Sequence, residues 1–181
     1  MARLWVFGYG SLIWDPGFAH DSMALARLEG YHRSFCMRSI HHRGTPNAPG
    51  LVLALDAAAG AACDGVGFRV RAGAEDETLA YLRERELVSA AYLETRQQVR
   101  LRTGTEVEAV TFVIDRAHGQ YCGGLPLEEQ AAIIARALGG RGPNRDYLWN
   151  TAAHLAELGI EDSELNWLAA RVRSLTGITT S

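Results

Sequence analysis

A glutamate stands on the apolar side of a predicted helix, where a carboxyl group can act as an acid or a base. The segment EDETLAYLRERELV, residues 75–88, carries acidic residues in its first turn, as the helix dipole favours. Leu79 and Leu82 set its apolar stripe, and at about 100° per residue Glu86 falls between them on the helical projection. Burial and the C-terminal helix end both disfavour a negative charge, so both raise the pKa of such a carboxyl. The alternative is that Glu86 pairs with a buried arginine or lies at a frayed helix end.

The other charged side chains of this helix are predicted to point away from Glu86. Glu77, Glu84 and Arg85 fall on the opposite side of the projection. Glu77 begins the helix, where solvation explains an acidic residue. Arg38 and Arg85 are candidate neighbours of a site, although the projection separates Arg85 from Glu86.

The stretch VFGYGSLIW, residues 6–14, joins an apolar run to two closely spaced glycines. A dinucleotide fingerprint needs a third glycine where Ile13 stands, and a phosphate loop needs a Gly-Lys-Ser/Thr that the sequence lacks. A nucleophile elbow needs Gly-x-Ser-x-Gly, whereas Ser11 follows Gly10 directly. Two interpretations remain: a tight turn between buried segments, or a strand end whose consecutive N–H groups, freed by Gly8 and Gly10, bind an anion.

The elements that must position these residues follow a strand-then-helix order. Apolar runs and alternation predict strands over 3–9, 30–38, 51–56, 63–71, 93–102 and 106–115. Two prolines and two glycines make 38–50 a loop. Helical spacing then predicts helices over about 126–138, 145–158 and 163–175, with Pro126 in the first turn of the first and Asp162 capping the last. The pattern is α+β, with a helical C-terminal third.

Composition limits the class of protein. The length of 181 residues fits one domain, residues 1–181, and an apolar fraction of 48% is ordinary for a globular chain. A net charge of −3 without a block of like charges predicts neither nucleic acid nor an anionic membrane as partner. No apolar run is long enough to span a bilayer or to form a signal sequence. Three scattered cysteines without a CxxC spacing predict reduced thiols, so we expect a cytoplasmic protein.

Four segments, in this order, carry a resemblance to a known family: VFGYGSLIW, HHRGTPNAPGLVLALD, YLRERE and PNRDYL. Together they resemble the ChaC family of γ-glutamylcyclotransferases, from Trp5 to about Val172. The segment LVSAAYLETRQQVRL is similar to the bacterial branch of that family. His41 stands where the animal branch commonly has an acidic residue.

The resemblance implies a fold, a reaction and a site. The fold is a small mixed β-barrel flanked by helices, and the reaction cleaves glutathione to 5-oxoproline and cysteinylglycine without a cofactor or a metal. The family's Tyr-Gly-Ser-Leu loop holds the γ-glutamyl group, which implies substrate binding here by Gly8, Tyr9, Gly10, Ser11 and Leu12. The family's general base is the Glu of Tyr-Leu-x-x-Arg-Glu, here Glu86, which the helical projection also places on the inward face. A monomer is favoured.

This reaction requires few catalytic groups from the protein. The substrate's α-amine attacks its own γ-carbonyl and closes a lactam, so no covalent nucleophile is required. A base must take a proton from the ammonium and the leaving amine must receive one, and a single carboxyl can do both. N–H groups around Gly10 to Leu12 would anchor the α-carboxylate or the developing oxyanion.

Other polar side chains are weaker candidates. Ser11 lacks an elbow and an identifiable base, so ligand contact or turn chemistry is favoured over nucleophilic attack. His41 and His42 have no third metal ligand at a suitable spacing. Arg43 is predicted either to clamp a carboxylate or to organise its loop. Tyr147 is predicted either to hydrogen-bond the catalytic carboxyl or to pack in the core.

Two other functions are compatible with the sequence. One is a cyclotransferase acting on γ-glutamyl amino acids or γ-glutamylamines, which differs only in the amine that leaves. The other is a non-catalytic module that binds a γ-glutamyl or amino-acid ligand. Glu86 argues against the module, because a sensor has no need of a buried carboxyl without an obvious partner.

Overall fold

Five strands close into a barrel in the computed structural model, which describes residues 3–86 and 90–178. The elements follow the order β1 (Trp5–Gly8), a 3-10 turn (Ser11–Ile13), β2 (His20–Ser39), β3 (Gly50–Val70), α1 (Glu75–Glu86), β4 (Tyr92–Leu101), β5 (Glu106–Ile114), α2 (Leu127–Arg136), β6 (Leu138–Gly139), β7 (Gly142–Pro143), α3 (Asn144–Glu157) and α4 (Ser163–Thr176). The predicted fold class, an α+β mixed barrel with a helical C-terminal third, is confirmed.

The barrel is mixed because its strands pair in both directions. Its strand order is β1-β3-β2-β4-β5, with an additional pairing between β3 and β5. β1 pairs antiparallel with β3 and parallel with β5, so it sits between two strands that are distant in sequence. β4 pairs antiparallel with β5 along its whole length, from Tyr92↔Ile114 to Arg100↔Glu106. Closure leaves no long unpaired strand edge in this sheet.

Two strands are much longer than predicted. The predicted strand 30–38 is the second half of β2, which begins at His20. The predicted strands 51–56 and 63–71 are one continuous strand, β3, because the Ala- and Gly-rich segment between them is also extended. Pairing with neighbouring strands overrides the weak local preference of such small residues. Gly30 and Gly60 have positive φ values of 86° and 80°, which marks a local irregularity in each long strand.

The described chain separates into two compact units, and residues 3–33 and 54–119 form the first. Its core contains a cluster of buried side chains from β1, the turn after it, β3, α1 and β5: Val6, Leu12, Val70, Leu82, Val110 and Phe112. Leu82 places one face of α1 in this cluster, and Leu12 places the turn after β1 in the same cluster. The core of the first unit therefore positions both segments that the sequence singled out.

Residues 34–53 and 120–178 form the second unit, in which the C-terminal helices pack together. The indole of Trp149 in α3 donates a hydrogen bond to the carbonyl of Ala169 in α4 at 3.2 Å. α4 begins as predicted, since the side chain of Asp162 accepts from Leu165 N at 3.0 Å. The single-domain assignment of residues 1–181 stays a prediction.

Several helix ends differ from the prediction: α3 begins and ends one residue earlier, at 144 and 157, and α4 ends one residue later, at 176. α2 ends at Arg136 instead of 138, because Leu138 and Gly139 pair with Gly142 and Pro143 in a short hairpin. Pro126 precedes this helix as its N-cap and is not part of its first turn. α1 covers 75–86 of the predicted 75–88, and the last two residues of that prediction lie outside the described residues.

Candidate active site

The turn after β1 is a compact, buried segment. β1 ends at Gly8, and a 3-10 turn forms over Ser11–Ile13, with Ile13 N donating to Gly10 O at 2.9 Å. A Cβ atom at Gly8 would lie 3.1 Å from Leu12 Cβ, so the glycine lets Leu12 fold back against the strand. The structure is compatible with both interpretations of this stretch. It is a tight turn between buried segments, and it also follows a strand end, as the anion-binding interpretation requires.

Arg33, which sequence reasoning missed, holds this turn from β2. Its guanidinium is buried, with 7% of the residue exposed, and its Nε donates to the carbonyl of Tyr9 at 2.7 Å. Its Nη2 donates to the carbonyl of Asp64. The signal in the sequence was a charged residue inside a predicted strand, which is too common to single out one arginine. We refer below to residues 8–12 as the glycine loop.

Glu86 lies on the inward side of α1, as the helical projection predicted. The helix packs through Thr78 and Leu82, which are both buried, and Glu86 follows Leu82 by about one turn. Only 17% of the Glu86 side chain is exposed. Burial raises the pKa of this carboxyl above its usual range, while the charge of Arg85 acts in the opposite direction. Glu84, by contrast, is exposed.

Arg85 does not point away from Glu86, and this prediction was wrong. Its Nε lies 3.5 Å from Glu86 Oε1, and its side chain is 19% exposed. Its Nη2 donates to Ser11 Oγ at 3.0 Å, which joins α1 to the glycine loop. A projection locates Cβ atoms only, whereas a long arginine side chain can reach around the helix to a neighbouring residue. The expectation that Glu86 has no obvious partner was also wrong, because the guanidinium of Arg85 lies beside its carboxyl.

In the second unit, Arg43 organises its own loop. Its Nη1 donates to the carbonyls of Arg141 and Pro143, both at 3.1 Å. Its main-chain N–H donates to Ser39 Oγ at 2.9 Å, and its guanidinium lies 5.7 Å from the ring centroid of Tyr147. Burial lowers the pKa of this guanidinium. These contacts give the loop-organising role a structural basis, and the clamping of a carboxylate stays a prediction.

Tyr147 is part of the packing of the second unit. Its hydroxyl accepts a hydrogen bond from Leu53 N at 3.2 Å, and its ring meets the ring of Phe35 edge-on at a centroid distance of 6.0 Å. Arg38, the other candidate neighbour, pairs through its main chain with Gln120. These contacts give the core-packing role of Tyr147 a structural basis.

The two loop histidines are exposed, and their main chain pairs with the hairpin after α2. Gly140 N donates to His41 O at 2.7 Å, and Arg141 N donates to His42 O at 2.8 Å. Partial burial of its imidazole and the nearby charges of Arg141, His41 and Arg43 lower the pKa of His42, although the residue as a whole is exposed. Across residues 3–86 and 90–178, no three His, Cys, Asp or Glu side chains are grouped so that they could hold a metal ion.

The first unit thus brings together a half-buried carboxyl, a guanidinium and a glycine-flanked turn. A carboxyl with a raised pKa is suited to accept a proton from an amine and to return it within one reaction. In the described part of the chain, no helix has both the length and the apolar character needed to cross a membrane.

Comparison with known proteins places the chain in a family. The family model of ChaC-like proteins matches residues 4–175. The chain is 36% identical to the glutathione-specific gamma-glutamylcyclotransferase of Escherichia coli, over 95% of this chain and 74% of that protein. It is also 36% identical to gamma-glutamylcyclotransferase 2-3 of Arabidopsis thaliana, over 95% of this chain and 89% of that protein.

A solved structure shares the fold. The crystal structure of a gamma-glutamyl cyclotransferase specific to glutathione from yeast aligns with a TM-score of 0.85 and 23% identity, covering 96% of this chain and 97% of the yeast chain. At that identity the likeness is one of fold. The family model, by its coverage, and the two relatives, by their identity, show that this chain belongs to the ChaC-like protein family.

Proposed function

We propose that this protein is a γ-glutamylcyclotransferase that cleaves glutathione to 5-oxoproline and cysteinylglycine, with Glu86 as general acid and base. The observation that carries the proposal is the half-buried carboxyl of Glu86, on the helix whose Leu82 packs in one cluster with Leu12 of the glycine loop. The name of the E. coli relative supports glutathione as the substrate.

The reaction is internal to the substrate. The α-amine nitrogen of the γ-glutamyl group forms a bond to the γ-carbonyl carbon, and the bond from that carbon to the cysteinyl nitrogen breaks. Because nucleophile and electrophile belong to one molecule, the protein contributes chiefly by holding the γ-glutamyl chain in a folded geometry. The atoms balance without water, oxidant or cofactor.

Glu86 moves protons from the attacking nitrogen to the departing one. As a carboxylate it takes a proton from the α-ammonium, which frees the amine for attack, and as a carboxylic acid it gives that proton to the departing amine. The ring nitrogen then loses its second proton, which the released amine takes up, so the products are a lactam N–H and an ammonium and the enzyme returns to its starting state. Burial makes the carboxylate a stronger base than an exposed glutamate, which favours the first step.

The glycine loop binds the γ-glutamyl group in this proposal. Main-chain N–H groups around Gly10 and Ser11 are assigned to the α-carboxylate or to the oxyanion that develops on the γ-carbonyl. Tyr9 and Leu12 are buried and shape the loop from beneath. Substrate-binding roles for Arg43 and Tyr147 stay predictions, as do a cytoplasmic location and a monomeric state.

The test is product identification with a matched pair of variants. Purified protein is incubated with glutathione, and mass spectrometry measures 5-oxoproline and cysteinylglycine, which we expect in equal amounts. Glu86→Gln should abolish both, while Glu84→Gln, an exposed position on the same helix, should not. γ-Glutamyl amino acids and γ-glutamylamines are assayed in parallel. If 5-oxoproline is released faster from one of these compounds than from glutathione, that compound is the preferred substrate. Release of free glutamate, or ligand binding without turnover, would contradict the proposal.

A further inference from the structure

One guanidinium, that of Arg85, joins three parts of the first unit. Its Nη2 donates to Ser11 Oγ at 3.0 Å in the glycine loop. Its Nη1 donates to the carbonyl of Asp15 at 2.5 Å and to the hydroxyl of Tyr81 at 3.0 Å. Its Nε lies 3.5 Å from Glu86 Oε1. All three nitrogens of the guanidinium therefore have partners, and these partners belong to the loop, to the segment after it and to α1.

The segment after the loop is shaped to receive this side chain. Gly17 has a φ of 74°, and a Cβ atom there would collide with the ring and hydroxyl of Tyr81. The glycine thus lets the phenol lie against the main chain, where its hydroxyl accepts from Arg85. Arg85 also reaches the carbonyl of Pro16 at 3.4 Å.

Arg83, two residues earlier, shows what an ordinary surface arginine on this helix does. It forms a single ion pair with Glu94, at 2.6 Å from Nε to Oε1, and 51% of its side chain is exposed. Such exposed pairs contribute little because solvent screens them. The side chain of Arg85 is 19% exposed, so its contacts are screened less.

We propose that Arg85 is a positioning residue that holds the glycine loop and the Glu86 carboxylate in one arrangement, so that a γ-glutamyl group bound at the loop meets its base. The inference rests on the proposed function and adds a residue to it. A planar guanidinium with several directed N–H donors suits this task better than a single point charge. Misplacement of a reacting group by about 1 Å can cost about 10²-fold in rate, so fixing the two segments relative to each other matters for turnover.

The same contact affects the charge on Glu86. The positive charge of Arg85 favours the carboxylate and so opposes the effect of burial on its pKa. Arg85 is the neighbouring charge that opposes burial at this carboxyl, while Glu77 and Glu84 on the same helix are exposed and Asp15 contacts Arg85 through its main-chain carbonyl. Without Arg85, the pKa of Glu86 would rise further, so the carboxyl would become an active base only at a higher pH.

Three variants and two readouts test the proposal. Arg85→Gln removes the charge, Arg85→Lys keeps the charge but loses the planar fork, and Arg83→Gln is the matched control. The carboxyl resonance of Glu86, assigned by its loss in Glu86→Gln, is titrated by NMR in each protein without substrate. KM, kcat and the pH profile of kcat/KM for glutathione are measured alongside.

We expect Arg85→Gln to raise the pKa of Glu86 further, to move the acidic limb of the profile to higher pH and to lower kcat/KM by about 10²-fold at neutral pH. Arg85→Lys should titrate close to the wild type but show a raised KM. Arg83→Gln should match the wild type in both readouts.

A Glu86 titration and a KM that are unchanged in folded Arg85→Gln would overturn the proposal. If Arg85→Gln does not fold, Arg85→Lys decides, because a wild-type KM in that variant contradicts the need for the planar fork. A wild-type protein that releases no 5-oxoproline contradicts the proposed function, whereas an unchanged Glu86 titration contradicts only the inference about Arg85.

Discussion

Arg33 and Tyr9 are joined by a hydrogen bond of 2.7 Å from the buried guanidinium of Arg33 to the main-chain carbonyl of Tyr9. A charge inside β2 therefore holds the glycine loop through its backbone, whatever side chain Tyr9 carries. The same guanidinium also donates to Asp64 O in β3, so the loop is tied to the barrel wall.

Replacement of Arg33 should destabilise the protein. Arg33→Met removes the charged donor of hydrogen bonds to two main-chain carbonyls, and a hydrogen bond to a charged group contributes about 1.5–3 kcal/mol. Arg27→Met is the control, because Arg27 forms a solvent-exposed ion pair with Asp64 and its loss should change the free energy of unfolding much less. Urea unfolding of the three proteins measures both values, and equal losses would show that Arg33 contributes no more than a surface pair.

Glu86→Gln should remove activity and keep the fold. Loss of a general acid–base group typically costs about 10²–10⁴-fold, and we expect the upper end because one carboxyl serves both proton transfers. Arg85 keeps its acceptors on Ser11, Asp15 and Tyr81 in this variant, so the contacts between helix and loop persist. Melting temperature and 5-oxoproline release are measured side by side. Activity lost only together with the fold would return Glu86 to a structural role.

The stability difference between the wild type and Glu86→Gln should depend on pH. The pKa of Glu86 is raised in the folded protein, so ionising this carboxyl costs stability as pH rises through the folded pKa. Below the unfolded pKa of about 4.3 the group is protonated in both states and the cost is absent. The Gln variant should therefore gain most, relative to the wild type, near neutral pH, and the gain should vanish in acid. The free energies of unfolding of both proteins are measured from pH 4 to pH 8. A difference between them that does not change with pH would contradict this prediction.

The acidic limb of the wild-type rate profile should lie above the titration range of an exposed glutamate. Burial raises the pKa of Glu86, and the base is active only when it is ionised. The pH dependence of kcat/KM for glutathione measures this limb. A limb at about 4.3 would mean that the group controlling the rate is not this half-buried carboxyl.

A side chain at Gly10 should impair substrate binding without unfolding the protein. Gly10 precedes the 3-10 turn and is buried, so Gly10→Val would fill the space in which substrate approaches the main chain. We expect a raised KM and a melting temperature close to that of the wild type. Gly119→Val is the control, because Gly119 is exposed and a Cβ atom there meets nothing within 4 Å. An unchanged KM in folded Gly10→Val would remove this position from the binding site.

Glutathione acetylated on its α-amine should not react, because acetylation removes the nucleophile. Mass spectrometry for cysteinylglycine measures this directly, with unmodified glutathione as the control. Release of cysteinylglycine from the acetylated compound would identify a hydrolase. A chelator should leave turnover of glutathione unchanged, since the proposed reaction routes no step through a metal.

Local sequence determined the helices and the inward placement of Glu86. α4 is bounded by signals within a few residues of its ends: Asp162 accepts from Leu165 N, and Gly177 has a left-handed φ of 68°. The position of Glu86 follows from the same short-range logic, because helical periodicity places it about one turn beyond Leu82. α3 departed from prediction by one residue at each end, α4 by one residue at its C-terminal end, and α2 by two residues at its C-terminal end, where a hairpin competes with the helix.

Tertiary structure decided what depends on distant partners. β3 is continuous through an Ala- and Gly-rich segment with a weak local preference for strand, and the residues on either side of that segment pair with β5 and β1. Arg33 meets Tyr9 across 24 residues of sequence, a separation over which no periodicity gives a signal. Arg85 contacts Ser11, which is 74 residues away in the sequence. It also contacts Glu86, the next residue, although the helical projection placed these two side chains on opposite sides of the helix. Periodicity specifies where a Cβ atom points, whereas the partner that a long side chain finds is specified only by the folded chain around it.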